Sequence, residues 1–180
     1  MGQYYKPIIL KDNKSKKTID KWVYSWDYGN GLKLMEHSYV GNNFVNVVEN
    51  ELKENPQRLV WAGDYADHCK GRESNLYDRT HRYEDNKSVN GNEDFNHEVY
   101  RYIVNHSKKQ FVDKTKLQDI EGWEGTQINP LPILTSEGNG SGGGDFRGEN
   151  KYIGTWARDV ISIEMKQPKG FKEITPDFVE

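Results

Sequence analysis

The apolar residues of this chain occur in short runs separated by turn-forming residues, and only one segment has the spacing of a helix. Short runs with alternating polarity are typical of β-strands. Because these runs follow one another through polar turns, without intervening helices, they favour an α+β fold with a mainly antiparallel sheet. We predict about six or seven strands, one clear helix and long polar loops.

The elements are predicted from local patterns. Two hairpins are expected, one joining residues 3–10 to 18–24 and one joining 99–105 to 110–113. The helix is predicted to begin after Asn42, a capping residue, and to end at Asn55-Pro56. Residues 63–98 carry little periodicity and are expected to form a long loop with one helical turn. Further strands are predicted at these segments: 58–62, 131–135 and 160–165.

Composition limits the size and class of the fold. The chain has 180 residues, of which 34% are hydrophobic and 29% charged, and a mean hydropathy of −0.97. A core is still possible because 12% of the residues are aromatic and aromatic side chains bury a large area each. We expect a single α+β domain at 1–165, followed by a loosely attached C-terminal tail at 166–180.

Charge and cysteine content exclude several classes of function. The formal net charge is −3, which argues against a duplex nucleic acid as partner. The lysines near the start of the chain are interpreted as a solvated turn between two strands. No apolar run is long enough to cross a membrane, the start lacks the pattern of a signal peptide, and Cys69 is the lone cysteine. We therefore expect a cytoplasmic protein without disulfides.

A glycine-rich loop is the sharpest candidate for binding. It runs from Gly138 to Gly148, and its first part has five glycines in seven residues. Closely spaced glycines expose backbone N–H groups that can surround an anion. The segment matches G-x-G-x-x-G, but no helix pattern follows it, which argues against a dinucleotide fingerprint. The candidate ligand-binding residues of this loop are Gly138, Gly140, Gly142, Gly143, Gly144, Asp145 and Arg147.

Two further segments carry candidate side chains. Asp64 directly follows an apolar strand, where a rigid element can position it, and Asp67 and His68 come soon after. Arg158 lies in a Trp-Ala-Arg-Asp segment that resembles Trp61-Ala62-Gly63-Asp64, so the two turns could face one cleft. Asp64 and Arg158 join the ligand-binding set; a turn role for Asp64 stays open. His37 beside Glu36 is a candidate general base. No metal site and no cofactor are predicted.

Five segments together resemble a group of small bacterial and phage proteins that open with MGQYY. The matching segments lie at 1–5, 31–36, 61–67, 138–145 and 154–159. The resemblance implies a cytosolic protein of a phage or its host, encoded by an accessory gene, and it implies no catalytic residue. Ser141 stands where Arg is expected in the glycine loop of that group, which weakens the case that this loop alone binds a phosphate.

These observations favour a protein that binds a small anionic, nucleotide-like ligand. In a phage it could sequester a nucleotide signal of the host's immune system, in the host cytoplasm. One alternative is a nucleotide hydrolase or transferase that uses Asp64, Asp67 or His37, with or without a metal. Another is a protein inhibitor of a bacterial defence complex. The partners left open are a second copy of the chain and a host defence protein.

Overall fold

A computed structural model describes residues 3–69, 71, 73–82, 87–88, 91, 93–138 and 150–178. The described strands are β1 (Tyr5–Leu10), β2 (Ile19–Trp22), β3 (Gln57–Gly63), β4 (Lys87–Ser88), β5 (Tyr102–Asn105), β6 (Gln110–Asp113), β7 (Asp119–Ile120), β8 (Trp123–Gln127), β9 (Ser136–Glu137), β10 (Val160–Glu164) and β11 (Lys172–Glu173). The described α-helices are α1 (Leu34–His37), α2 (Asn43–Leu52), α3 (Leu76–Arg82) and α4 (Pro130–Leu134).

A nine-stranded, mostly antiparallel sheet organises the domain, which confirms the α+β prediction. The strand order is β11-β6-β5-β10-β3-β1-β2-β4, and β9 pairs with β3 off this path. The longer strands β1, β2, β3, β5, β6 and β10 pair antiparallel. The two-residue strands β4, β9 and β11 are added in parallel. A separate antiparallel ribbon is made of β7 and β8.

Strand β3 lies at the centre of this arrangement. It pairs with β1 along its whole length, from Tyr5 opposite Gly63 to Leu10 opposite Arg58. Its other edge is divided, since β10 pairs with Gln57 and Arg58 and β9 pairs with Trp61 and Ala62. The backbone of β3 is therefore bonded on both sides.

Side chains that alternate along the strands build a core on each face of the sheet. Tyr5, Ile9 and Trp61 point into the main core, whereas Ile8 and Val60 point into a smaller one. Because both faces are covered, β1 is buried at every position, and the apolar run that predicted it shows little alternation. We call the side of the smaller core, which includes Leu76 and Tyr77 of α3, the α3 face.

Helix α2 confirms the predicted helix and its cap. The side chain of Asn42 accepts hydrogen bonds from the backbone N–H groups of Phe44 and Val45. Phe44, Val48 and Leu52 recur at helical spacing and are buried in the main core. The helix is therefore stabilised by its cap and by packing of one face onto the sheet.

The predicted strand at 131–135 is wrong, because residues 130–134 form α4. Asn129 caps this helix by accepting a hydrogen bond from the Leu131 N–H at 3.0 Å, and Pro130 occupies the first turn, where its missing N–H costs nothing. The helix is buried at all five positions. An apolar run that is buried all round does not by itself distinguish a strand from a helix.

Two other expectations differ from the observed elements. Within 63–98, which we expected to be a loop with one helical turn, the structure contains the seven-residue α3 and the short β4. Within the tail at 166–180, β11 pairs with β6, and Ile174 and Phe178 are buried in the main core. None of the helices in the described ranges is long and apolar enough to span a membrane.

A buried ion pair joins α2 to the sheet and to α4. The side chain of Glu49 is fully buried, and that of Lys114 is 3% exposed. Lys114 Nζ donates to Glu49 Oε2 at 2.8 Å, and Asn129 Nδ2 donates to Glu49 Oε1 at 2.7 Å. Each carboxylate oxygen therefore has its own donor, which offsets the cost of removing the charges from water.

We predict that Lys114→Met destabilises the protein by about 3–5 kcal/mol, because it leaves the Glu49 carboxylate buried without its cation. The double variant Glu49→Gln/Lys114→Met should be more stable than Lys114→Met, since the remaining amide is neutral. Urea unfolding measures both differences.

Lys116 provides the matched control for this prediction. It pairs with Glu173, but its side chain is 55% exposed, so Lys116→Met should cost about 1 kcal/mol or less. If Lys114→Met and Lys116→Met lower the free energy of unfolding equally, burial is not what makes the Lys114–Glu49 pair important.

Candidate functional site

Three of the predicted site residues are described by the structure: Asp64, Gly138 and Arg158. The other predicted ligand-binding residues lie outside the described residues: Gly140, Gly142, Gly143, Gly144, Asp145 and Arg147. The site is therefore built from the strands that lead into the glycine loop.

The glycine loop begins where two parallel strands end side by side. Strand β9 runs beside β3, with Glu137 opposite Ala62. Asp64 directly follows β3, and Gly138 directly follows β9. We use the name strand-end cluster for four residues at this place: Asp64, Glu137, Gly138 and Arg158.

Close backbone packing explains two glycines here. A Cβ atom on Gly63 would lie 2.8 Å from the backbone oxygen of Glu137. A Cβ atom on Gly138 would lie 2.5 Å from Gln3 Oε1. Gln3 is itself fixed, because its Oε1 accepts a hydrogen bond from the Tyr5 hydroxyl at 2.9 Å. The close approach of β9 to β3 and to Gln3 is therefore possible only because positions 63 and 138 have no side chain.

Asp64 is held on one side only. Its Oδ1 accepts a hydrogen bond from the Tyr4 N–H at 3.0 Å, and its own N–H donates to the Tyr4 carbonyl at 2.9 Å. Its Oδ2 has no hydrogen-bond partner among the described residues. The Asp64 carboxylate thus joins residue 4 to the end of β3 and does not cap the element that follows, and its second oxygen has no bond from the described residues.

Arg158 forms a bidentate ion pair with the carboxylate of Glu137. Its Nε and Nη2 donate to the two oxygens of Glu137 at 2.7 and 2.5 Å. Burial alone would lower the pKa of Arg158, but the hydrogen bonds and charge of Glu137 outweigh burial and raise it. Because the guanidinium is neutralised in this bidentate pair, Arg158 positions Glu137 and has little charge left for an anion.

Two exposed tyrosines flank Asp64, and sequence reasoning missed both. Tyr4 is 44% exposed and Tyr65 is 46% exposed. The position of Tyr65 next to Asp64 was the available signal; the position of Tyr4 follows from the pairing of β1 with β3. Exposed aromatic rings beside a polar group can stack on a planar ligand.

A buried lysine fills an aromatic cage on the α3 face. Lys6 Nζ lies 4.5–5.2 Å from the ring centres of Trp22, Tyr24 and Tyr77 and donates to Thr80 Oγ1 at 2.5 Å. Burial lowers the pKa of Lys6 to about 8, although the charge of Asp78 acts in the opposite direction. The cage is thus occupied by the protein's own ammonium group.

Tyr77 connects this cage with Asp64. Burial raises the pKa of the Tyr77 hydroxyl to about 12, and the nearby charge of Asp64 adds to the shift. The hydroxyl therefore stays protonated at neutral pH and can donate a hydrogen bond. Tyr77 of α3 therefore lies close enough to Asp64, at the end of β3, for the two groups to interact on the α3 face.

Of the second Trp-Ala-x-Asp turn, the Arg158 side chain reaches the strand-end cluster through Glu137, while its backbone lies near the start of β3. Asp64 follows the last residue of β3, whereas the carbonyl of Asp159 accepts from the Leu59 N–H near the start of that strand. The Asp159 carboxylate is bonded to Asn105 and Lys108. Trp61 and Trp156 are both fully buried in the main core, so the repeated pattern reflects two core tryptophans.

His37, the candidate general base, is a core residue. Its side chain is fully buried, its Nε2 accepts a hydrogen bond from Trp61 Nε1 at 3.0 Å, and its Nδ1 therefore donates to the Gly31 carbonyl. Burial lowers the pKa of His37 to about 4. With both nitrogens bonded inside the protein, the imidazole has no free position for proton transfer.

The described residues contain no group of three His, Cys, Asp or Glu side chains placed to hold a metal ion. A cavity of about 270 Å³ lies elsewhere, between β6 and residues 116–118 and 174–178. It contains none of the predicted site residues.

No protein-family model, curated protein or solved structure matches this chain.

We predict that the free energy of unfolding falls as the pH is lowered from about 6.5 to about 4. The unfolded chain binds a proton at His37 near pH 6.5, whereas the folded protein resists protonation down to about pH 4. Acid therefore favours the unfolded state, by about 3 kcal/mol over this interval.

Chemical unfolding at several pH values measures this dependence. In His37→Gln, which cannot titrate, the slope over the same interval should be shallower. A folded His37→Gln variant with the wild-type slope would show that other groups cause the acid sensitivity.

Proposed function

We propose that this protein binds a small anionic, nucleotide-like molecule at the strand-end cluster. The observation that supports this most is that Asp64, Gly138 and Arg158, from three distant segments, lie around the ends of β3 and β9. The glycine loop starts at this point. Loops that leave adjacent ends of rigid strands are common positions for binding residues.

Each part of a nucleotide has a matching group at this place. The free Oδ2 of Asp64 can accept a hydrogen bond from a sugar hydroxyl. Backbone N–H groups of a glycine-rich loop suit a phosphate. The exposed rings of Tyr4 and Tyr65 offer a stacking surface for a base.

Binding without turnover is the simplest activity for this set of residues. Catalysis needs a positioned base, and His37, one of its three candidates, is bonded at both nitrogens inside the core. In a phage, the consequence of tight binding would be removal of a nucleotide signal from the host cytoplasm. That biological role rests on the resemblance to small phage proteins.

The first test is native mass spectrometry of protein purified from cells. A small anion that remains bound under native conditions and dissociates on denaturation would support the proposal. Co-purification of a stoichiometric protein partner without a small molecule would favour the inhibitor alternative. Thermal shift with a set of nucleoside mono-, di- and triphosphates then ranks the candidate ligands by the stabilisation that binding produces.

We predict that Asp64→Asn keeps the melting temperature within a few degrees but reduces the thermal shift given by the best nucleotide. The amide oxygen can still accept from the Tyr4 N–H, whereas the charged acceptor for a hydroxyl is lost.

Asp119→Asn is the matched control. Asp119 is exposed and, like Asp64, accepts a backbone hydrogen bond, from Gly125 at 2.8 Å, but it lies in the separate ribbon. If a folded Asp64→Asn variant shows the same thermal shift with the nucleotide as wild type, the Asp64 carboxylate serves only to bond the Tyr4 N–H.

We also predict that Tyr65→Ala weakens nucleotide binding by about 1–3 kcal/mol, the usual contribution of one stacked base, without loss of stability. Isothermal titration of wild type and variant measures the difference. Trp123→Ala, which removes another exposed ring (59% exposed) in β8, should bind as wild type does. If wild type, Tyr65→Ala and Trp123→Ala bind the nucleotide with equal affinity, Tyr65 is not part of the binding site.

A further inference from the structure

The β7–β8 ribbon presents a tryptophan ring to solvent. Trp123 is 59% exposed, and residues 121–125 around it are all exposed. Tryptophan is highly buried on average in folded proteins, and it is enriched among the residues that contribute most to protein–protein binding. The ribbon therefore carries a side chain that is better suited to an interface than to water.

The ribbon is held in a fixed conformation. The Asp119 carboxylate accepts hydrogen bonds from the Gly125 N–H at 2.8 Å and from Gln127 Nε2 at 2.5 Å. Near the base of the ribbon, Ile120 packs against the main core, and the Val40 N–H donates to the Gln127 carbonyl at 3.0 Å. Because the backbone on both sides of the ribbon is already braced, a partner that binds its tip has little conformational entropy to remove.

The charge of the ribbon restricts the kind of partner. Residues 117–128 contain three acids and no Lys, Arg or His. Asp119 is engaged in the bonds that brace the ribbon, whereas Glu121 and Glu124, on either side of Trp123, have no partner among the described residues. A matching surface therefore offers an apolar recess for the ring and positive charge around it.

An apolar recess lies directly beside the ribbon. The cavity of about 270 Å³ opens to the surface and is lined by Leu117 and Gln118, which lead into β7, and by Ile128, which follows β8. Its other wall includes Pro176 and Phe178 of the C-terminal segment. A cavity of roughly 150 Å³ can hold a benzene ring, so this one has room for the larger indole ring of a tryptophan.

The charged side chains that line this cavity are already engaged within the chain. Asp113 pairs with Arg101 at 2.6 Å, Lys116 pairs with Glu173 at 2.6 Å, and Asp177 also interacts within the chain. The cavity therefore leaves no charged side chain unpaired toward its occupant, which suits a neutral ring.

Positive charge precedes the wall of the cavity. We call residues 166–172 the lysine segment; it contains Lys166, Lys169 and Lys172 and no acid. All three lysines are exposed and have no partner among the described residues. The lysine segment leads directly into residues 174–178, which line the cavity. The surroundings of the cavity thus complement the acids around Trp123 in charge.

We propose that two copies of this chain form a two-fold symmetric dimer in which Trp123 of each ribbon enters the cavity of the other copy. Because each copy carries its ribbon and its cavity side by side, a two-fold rotation can make both contacts at once. Glu121 and Glu124 of one copy then lie against the lysine segment of the other. The inference goes beyond the proposed function and does not depend on it, since the cavity contains none of the predicted site residues.

The first test compares Trp123→Ser with Trp26→Ser by sedimentation equilibrium. Trp26 is 64% exposed but stacks on Tyr24, a ring of the Lys6 cage, so it serves as the matched control. Wild type should reach twice the mass of the 20.9 kDa chain. Trp123→Ser should weaken the dimer about thirtyfold, as expected for a tryptophan at the centre of an interface, and Trp26→Ser should behave as wild type. Circular dichroism verifies that both variants are folded.

A charge exchange tests which surfaces meet. The variants Glu121→Lys/Glu124→Lys and Lys169→Glu/Lys172→Glu each place like charges across the contact, so each alone should dimerise about tenfold more weakly than wild type. An equimolar mixture of the two variants should recover the dimer, because every ribbon then meets a segment of opposite charge. Added salt should weaken the wild-type dimer, since exposed charges are screened.

Three outcomes would overturn the proposal, and each leaves the proposed nucleotide binding untouched. Wild type could sediment as a monomer over the whole concentration range. A wild-type dimer that Trp123→Ser and Trp26→Ser form equally well would use another face. If the mixture of charge variants associates no better than either variant alone, the ribbon does not lie against the lysine segment.

Discussion

The parallel pairing of β9 with the end of β3 is the contact on which the candidate site depends. It brings Glu137 and Gly138 beside Ala62, Gly63 and Asp64, and it requires backbones to approach without intervening side chains. Gly154 also contributes, because it has φ +69° and a Cβ atom there would lie 2.7 Å from the Ser136 carbonyl oxygen. Glycines at 63, 138 and 154 therefore surround a two-residue strand that has no side-chain core of its own.

Buried polar groups fix the rest of the domain in a single arrangement around this contact. The Trp61 indole donates to His37 from the middle of β3, and the Asn129 side chain bonds Glu49 while it caps α4. An unpaired group at any of these positions would cost more than a normal hydrogen bond contributes. Such pairs specify which helix packs against which strand, whereas apolar contacts alone tolerate alternatives.

Much of the sheet could be predicted from the sequence, because the six longer strands in it each carry a local pattern. The hairpins needed only neighbouring residues, and α2 was marked by Asn42 and by the spacing of Phe44, Val48 and Leu52. The two-residue strands β4, β9 and β11 could not be predicted, since their pairing is decided by distant partners. Helix α4 was missed because its apolar composition outweighed the cap signal of Asn129-Pro130.

Single residues of the candidate site could be predicted from the sequence, but the contacts between them could not. Asp64 and Gly138 were identified from their positions beside a strand and a glycine run, which are local features. The pairing of Arg158 with Glu137 was not predictable, because the two residues are brought together only by the fold. Predicting the exposure of Tyr4 likewise required knowledge of the β1–β3 register.

The distribution of charge follows from the same geometry. Arg58, Arg79 and Arg158 are each directed to a carboxylate or a backbone carbonyl, so these guanidinium groups stabilise the fold and do not supply mobile charge. Arginine suits this role because its planar group donates several hydrogen bonds in fixed directions. Lys11, Lys14 and Lys16, in the turn between β1 and β2, are exposed, and a lysine ammonium group is a hydrated point charge on a flexible stem. The arginines therefore hold neighbouring segments of the chain together, whereas these three lysines leave their charge in solvent.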